Sequence, residues 1–357
     1  MKAPSNKPPI KFTQEQNPNF DPFRERLDLF VGKISQSVME SLGVPQQKFV
    51  TEFNNMQELV RAGGKSAKFD FYEKYCKKVV ELLDNKGIEL ASEKEFKEYI
   101  AEFNALVESL KILFAHQGIK KYKSIEVEEN KELTSDFINK QLRLRQDLTE
   151  GTALLKWHIL QNESNLEYLN TFAKSCHKLA SLFGMGKELD GVIRGVNQEL
   201  GVYKILKKYF KEINFSTPKE DAKYKIDFFG ETYSGRKIII QTKSSIPVTT
   251  YRGEYMKRIE GVFNETWINK MVLSEKNKPR KFYGNERDLI SPKSAMQSLQ
   301  DDMEIAKKYS QSKNLGDIKF YLVVASADHF SNSFNFLRDR PKSVRFLDKA
   351  LKSLAQN

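Results

Sequence analysis

Lys225-Ile-Asp-Phe-Phe-Gly230 and Arg236-Lys-Ile-Ile-Ile-Gln-Thr-Lys-Ser-Ser245 are the two stretches on which the reading of this chain turns. They spell two short apolar strands joined by a turn containing Gly230, Ser234 and Gly235. The second strand is expected over 237–243, where Ile238, Ile239 and Ile240 form a continuous β-branched run. Such a run suits a strand buried on both faces. A buried sheet has no structural use for Asp227 on one strand and for Gln241 and Lys243 on its neighbour. Pleating puts Gln241 and Lys243 on the same face. A carboxylate, an amide and an ammonium converging at one end of a small sheet form the pattern of a site.

Composition bounds what that site can serve. The chain has 357 residues, 39% hydrophobic and 30% charged, room for two domains or one with a large extension. Its net charge of +12 and pI near 9.3 favour a polyanionic partner, nucleic acid before a membrane surface. The plainer alternative is a lysine-rich protein with no such partner. Cys76 and Cys176 lie far apart in helical patterns and read as reduced thiols. No apolar run approaches the ~20 residues of a membrane span, and the N-terminus lacks the apolar segment of a signal peptide. A cytoplasmic protein without a membrane association is expected.

Residues 1–20, with Pro4, Pro8, Pro9 and Pro18 among polar residues, read as a flexible arm. Residues 21–185 read as an all-helical domain. Its first helix starts at Asp21-Pro22, an N-cap followed by a proline at the first position, and ends at Gly43. A second covers about 45–62, and a third runs from Ser66 to Gly87. A fourth is expected from a Ser92/Glu95 capping box to Gly118, with Lys120–Glu129 extending it or forming a short strand. Two more helices, about 131–147 and 149–183, complete the region. A small mixed α/β domain follows over 186–357. It opens with a helix of about 187–212, continues with strand-like segments over 222–243, and carries an insertion at about 246–290. A helix from Ser291-Pro292 and a strand at Ile318–Ala325 complete its core.

Glu199, in the helical stretch Gly195-Val-Asn-Gln-Glu199, precedes Asp227 and the Gln241-Thr-Lys243 strand end. Three such elements in this order resemble the PD-(D/E)XK, restriction-endonuclease-like, nuclease superfamily. The Gln-x-Lys form is similar to that of Mrr-type restriction endonucleases. The resemblance covers roughly 187–326 and implies an α+β fold with a restriction-endonuclease-like second domain. It also implies metal-dependent phosphodiester hydrolysis, with Mg²⁺ or Mn²⁺ as cofactor and DNA favoured over RNA. Asp227 supplies the hard oxygen ligand that Mg²⁺ prefers. Gln241 or Thr242 would offer a second oxygen, and Glu199 would reach the metal from its helix. Lys243 would orient the attacking water or stabilise developing charge. Gln241 is neutral where relatives of this type usually carry a carboxylate, which lowers the charge available to a cation and raises the importance of Glu199.

Substrate contacts are expected from Lys204, Lys207, Lys208 and Lys211 along the Glu199 helix, and from Arg252, Lys257, Arg258, Lys278, Arg280 and Lys281 in the insertion. Lysine and arginine would position a phosphate backbone, and aromatics among them would stack on unpaired bases. Other signals fail on inspection. Gly63-Gly-Lys-Ser66 lacks the first glycine of a phosphate-binding loop, because position 59 is Leu. Cys176-His177 has no second pair at zinc-ligand spacing, and His116, His158 and His329 are isolated. The purely structural alternative is a salt bridge between Asp227 and Lys243 with Glu199 solvated. The functional alternatives are a nuclease-fold module that binds nucleic acid or protein without turnover, and an effector whose helical half holds a partner.

Overall fold

Apolar residues recurring at three and four make Pro22–Leu42 a helix, α1. Leu27, Phe30, Val31, Ile34, Val38 and Leu42 are all buried on one face. The computed structural model describes residues 22–62, 67–129, 135–244, 246–249, 256–276, 292–330 and 344–356. The expected N-terminal arm lies outside them. Helix α2, Gln46–Arg61, packs Phe49, Phe53 and Met56 inward. A helical run follows as α3 (Ala67–Phe71), α4 (Lys77–Leu82) and α5 (Ile88–Ala91), joined by π-helical turns at Tyr72–Cys76 and Leu83–Gly87.

Four helix boundaries differ from the sequence reading, two of them at glycines expected to end a helix. Gly87 does not end its helix. A Cβ there would come within 2.6 Å of the Val107 side chain, so the glycine permits a close approach to the long helix α6, Ile100–Glu129. The expected Ser92/Glu95 capping box does not form. The Ser92 hydroxyl donates to the Ile88 carbonyl at 2.8 Å, serving the end of α5, while Glu95 pairs with Lys33. Helix α6 then runs past Gly118 through the segment that could have been a strand. The expected pair at 131–147 and 149–183 is divided elsewhere, into α7, Ser135–Gln161, and α8, Leu166–Leu182. Gly151 lies inside α7, where a Cβ would stand 2.7 Å from Ile112.

Helix α9, Gly186–Tyr209, joins two cores. Its Leu189, Ile193, Val196 and Leu200 belong to the helical core, with Phe49, Phe114, Phe172 and Phe183. From Val202 onward the helix turns to a different core that faces a sheet, with Val202, Ile205 and Leu206 in it. The sheet has five strands: β1 (Glu212–Phe215), β2 (Phe228–Glu231), β3 (Lys237–Lys243), β6 (Gly261–Asn264) and β7 (Lys319–Val324). Their order is β1-β2-β3-β7-β6. β3 and β7 are parallel, and the other neighbours are antiparallel. A separate hairpin pairs β4, Ile246–Thr249, with β5, Met256–Ile259.

β3 is buried on both faces, as its isoleucine run requires. Ile238 and Ile240 meet α9 and the C-terminal helix α13, Arg345–Gln356. Ile239 meets α11 (Glu265–Lys276) and α12 (Pro292–Ser312) on the other face. The parallel β3–β7 pair needs a long crossover, and α12 lies within it. Short helix α10, Pro218–Tyr224, is capped by Thr217, whose hydroxyl accepts from Glu220 while the Glu220 carboxylate accepts from the Thr217 N–H. The molecule is thus mostly helical with one small mixed sheet, an α+β architecture. Among the described residues no helix is long and apolar enough to cross a membrane.

Candidate active site

Asp227 stands just before β2, where the antiparallel ladder to β3 ends. Its N–H donates to the Ile240 carbonyl at 3.1 Å. The next donor along β3 is the Thr242 N–H, and the Asp227 carboxylate accepts it at 2.6 Å. The same oxygen, Oδ2, accepts the Thr242 hydroxyl at 2.8 Å. The carboxylate therefore completes the ladder at the sheet end, which fixes it against β3.

The other predicted residues are arranged around it on separate partners. Glu199 is half-buried, its side chain 23% exposed, and it forms an ion pair with Lys156 of α7, whose own side chain is 9% exposed. Lys243 is not bridged to Asp227. It lies 3.8 Å from Asp302 of α12, and Gln241 donates its amide to the same Asp302 oxygen at 3.1 Å. Gln241 and Lys243 thus share one face of β3, as their spacing requires. The Gln241 carbonyl oxygen Oε1 is buried without a hydrogen-bond partner among the described residues. Of the predicted contact residues, Lys204, Lys207, Lys208 and Lys211 lie on and just after α9. Lys257 and Arg258 belong to β5. Arg252, Lys278, Arg280 and Lys281 lie outside the described residues.

Three residues that the sequence reading passed over complete the electrostatics. Asp221 of α10 is pushed up to about 7, first by burial, then by the Asp227 and Glu199 carboxylates, against Lys156 and Lys225. Asp227 is pushed up to about 6 by burial and by Glu199, with Lys243 and the Thr242 hydrogen bonds acting in the opposite sense. Burial lowers the Lys156 ammonium, but Glu199, Asp221 and Asp227 outweigh it and the net shift is upward. Lys225 shows the reverse balance: burial, Arg145 and Lys243 bring it down to about 8 despite Asp302 and Asp221. Lys225 also sits at φ 59° in the left-handed region at the end of α10. The cluster is therefore three carboxyl groups, Glu199, Asp221 and Asp227, set against the ammonium groups of Lys156, Lys225 and Lys243.

Two of those residues carry a sequence signal. Thr217-Pro-Lys-Glu220 spells a capped helix start with proline at its first position, and that helix brings Asp221 in. Lys156 interrupts the apolar run Leu154-Leu155-Lys156-Trp157. Asp302 is one of several acidic residues on α12, and only the tertiary fold distinguishes it.

Among the described residues, no group of three His, Cys, Asp or Glu side chains could by itself hold a metal ion. Mg²⁺ is commonly held by one or two carboxylates with waters and substrate phosphates. The carboxylates here are Asp227 and the Lys156-paired Glu199, and Gln241 Oε1 is a buried amide oxygen lacking a donor among the described residues. Compared with known protein families, curated proteins and solved structures, the chain shows no match.

Proposed function

We infer that the protein is a restriction-endonuclease-like hydrolase of nucleic-acid phosphodiesters, with DNA as the favoured substrate and Mg²⁺ or Mn²⁺ as cofactor. The observation that carries this reading is the crowding of Asp227, Glu199 and Asp221 at one sheet end beside Gln241 and Lys243. Folding has no need to hold three carboxyl groups where Glu199 raises the proton affinity of both aspartates and Asp227 raises that of Asp221. A bound cation would relieve that repulsion. The order of helix, antiparallel strands, helix and parallel strand also supports the resemblance stated from the motif residues.

Asp227 and Glu199 would hold the cation, with Gln241 Oε1 as a further oxygen. The cation's chemistry in such a site is to neutralise phosphoryl charge and to lower the pKa of an attacking water. Thr242 keeps Asp227 oriented through its two hydrogen bonds. Lys243 is 39% exposed and its partner is 3.8 Å away. An ion pair of that kind contributes little, so the ammonium can turn towards a phosphate oxygen and stabilise charge there. Lysines of α9 would position the backbone without reading sequence. Defence against foreign DNA is the setting that the Gln-x-Lys form suggests.

A second reading, a binding module without turnover, is favoured by the Lys156–Glu199 ion pair, which neutralises Glu199 within the protein. Incubation with linear, supercoiled and single-stranded DNA in Mg²⁺ or Mn²⁺ separates the two. Hydrolysis lost in Asp227→Ala and Lys243→Ala, both still folded, supports the enzyme. Salt-sensitive binding without cleavage supports the module.

A further inference from the structure

Beside the carboxylate cluster lies a cleft that the sheet residues do not account for. It is formed by α7 and the segment from β1 to α10 and has a volume of about 120 Å³. Trp157, Leu160 and Phe215 give it apolar walls, and Lys156 and Asp221 are its charged members. Trp157 is 43% exposed, a large indole held at the surface. A cavity of about 150 Å³ accepts a benzene ring, so this cleft is on the scale of one six-membered ring.

Leu160 also lines a second groove of about 470 Å³, whose other members include Glu163, Tyr203, Lys204, Lys207 and Lys208. The Tyr203 and Phe215 rings stand 4.5 Å apart at 31°, so aromatic surface runs from one groove into the other. The charge here is three lysines against one carboxylate. Lys204 is paired with Glu163 at 2.6 Å, with both side chains more than 40% exposed. The Lys207 ammonium lies 5.9 Å from the Tyr203 ring centre.

We propose that the two grooves together bind an unpaired nucleic-acid strand, with its phosphates along Lys204, Lys207 and Lys208 and one base in the cleft walled by Trp157 and Phe215. This rests on the phosphodiester-hydrolase reading and names its substrate as a strand with unpaired bases. The charge pattern sets the polarity of binding. Asp221 and Lys156 inside the cleft can accept from and donate to the polar edge of a base. The lysines outside attract the backbone. A duplex keeps its bases stacked and paired, so it cannot offer a ring to so small a cleft without extruding a base. Stacking on an aromatic side chain together with a basic track is the recurring way of holding single strands.

The test uses the full chain in the Trp267→Phe background, which leaves Trp157 as its one tryptophan. Binding is followed in chelator, without turnover, using an oligothymidylate and a duplex of equal length. The single strand is expected to quench Trp157 fluorescence and to bind more tightly than the duplex. Trp157→Ala should weaken single-strand binding by about 5- to 150-fold, measured by fluorescence anisotropy of a labelled strand, and Trp157→Phe should restore most of it. Lys204→Gln, Lys207→Gln and Lys208→Gln together should reduce the salt slope by about 2. Equal affinity for single strand and duplex, or a Trp157→Ala variant that folds and binds as its parent does, overturns the proposal. Binding that depends on Trp157 without cleavage would leave the cleft standing and remove the hydrolase. Cleavage that depends on Asp227 with no role for Trp157 would do the reverse.

Discussion

Asp227 and Thr242 are joined twice through one oxygen: the backbone N–H of Thr242 and its hydroxyl both donate to Asp227 Oδ2, at 2.6 and 2.8 Å. A side-chain carboxylate here takes the place of the next backbone acceptor in the ladder. The sheet ends at this pair, and the candidate chemistry begins there.

Replacing Thr242 with valine keeps the β-branch and the strand but removes one donor from a charged acceptor. A hydrogen bond to a charged group contributes about 1.5–3 kcal/mol. Thr242→Val should lose about that much unfolding free energy in denaturant titrations at neutral pH. A variant as stable as wild type would show that the hydroxyl does not hold Asp227.

The raised carboxyls give stability a particular pH dependence. Asp221 and Asp227 are pushed up to about 7 and about 6 from the ordinary 3.8. Between about pH 4 and pH 7 the folded chain therefore binds more protons at these groups than the unfolded chain does. Their contribution is fully present below the ordinary value and is lost as pH rises through that window. In chelator, wild type should lose stability relative to Asp221→Asn as pH rises from 4.5 to 7.5. Parallel curves for the two proteins would contradict the assignment.

Lys156 holds the carboxylates together, so Lys156→Met should be costly. Removing one partner of a buried ion pair costs up to about 3–5 kcal/mol. Lys156→Met with Glu199→Gln should recover part of the loss, because the pair is then removed whole. Mn²⁺ should raise the melting temperature of Lys156→Met more than that of wild type, since a cation would replace the missing charge. An identical Mn²⁺ response in both proteins would count against a cation at this cluster.

Gly201 tests how α9 joins the two cores. A Cβ at this position would overlap the Phe330 ring beyond β7. Gly201→Ala should therefore destabilise by about 1–3 kcal/mol, the cost of overpacking, despite alanine's better helix propensity. Gly191→Ala, in the same helix with open space around it, should be neutral or stabilising. Thermal melts of the two variants decide the matter.

Periodicity made most of the helical half legible, because apolar stripes such as Leu27 to Leu42 have one physical use. Two of the misplaced helix ends lie at glycines. Gly87 and Gly118 look like helix stops in sequence, yet the chain stays helical through both, and at Gly87 a neighbouring helix comes too close for a side chain. That reason belongs to the partner helix and cannot be read locally. At the site, strand alternation placed Gln241 and Lys243 together and the isoleucine run put them on a buried strand. The partners were out of reach: Lys156 and Asp302 come from helices separated from β3 by tens of residues. Asp221 was legible in part, since the Thr217–Glu220 cap announces the helix that carries it. Strand β1, between the expected helix and the expected strands, carries no signal in sequence because four residues are too few to establish an alternation.

Turnover of supercoiled DNA by wild type and by Asp227→Asn, side by side in Mg²⁺ and in Mn²⁺, tests the central claim most directly. Asparagine keeps the shape and an acceptor for Thr242 while removing the charge. The account predicts nicked and linear products from wild type and none from a folded Asp227→Asn. Equal cleavage by the two proteins, or no cleavage by wild type of any DNA form with either metal, would contradict it.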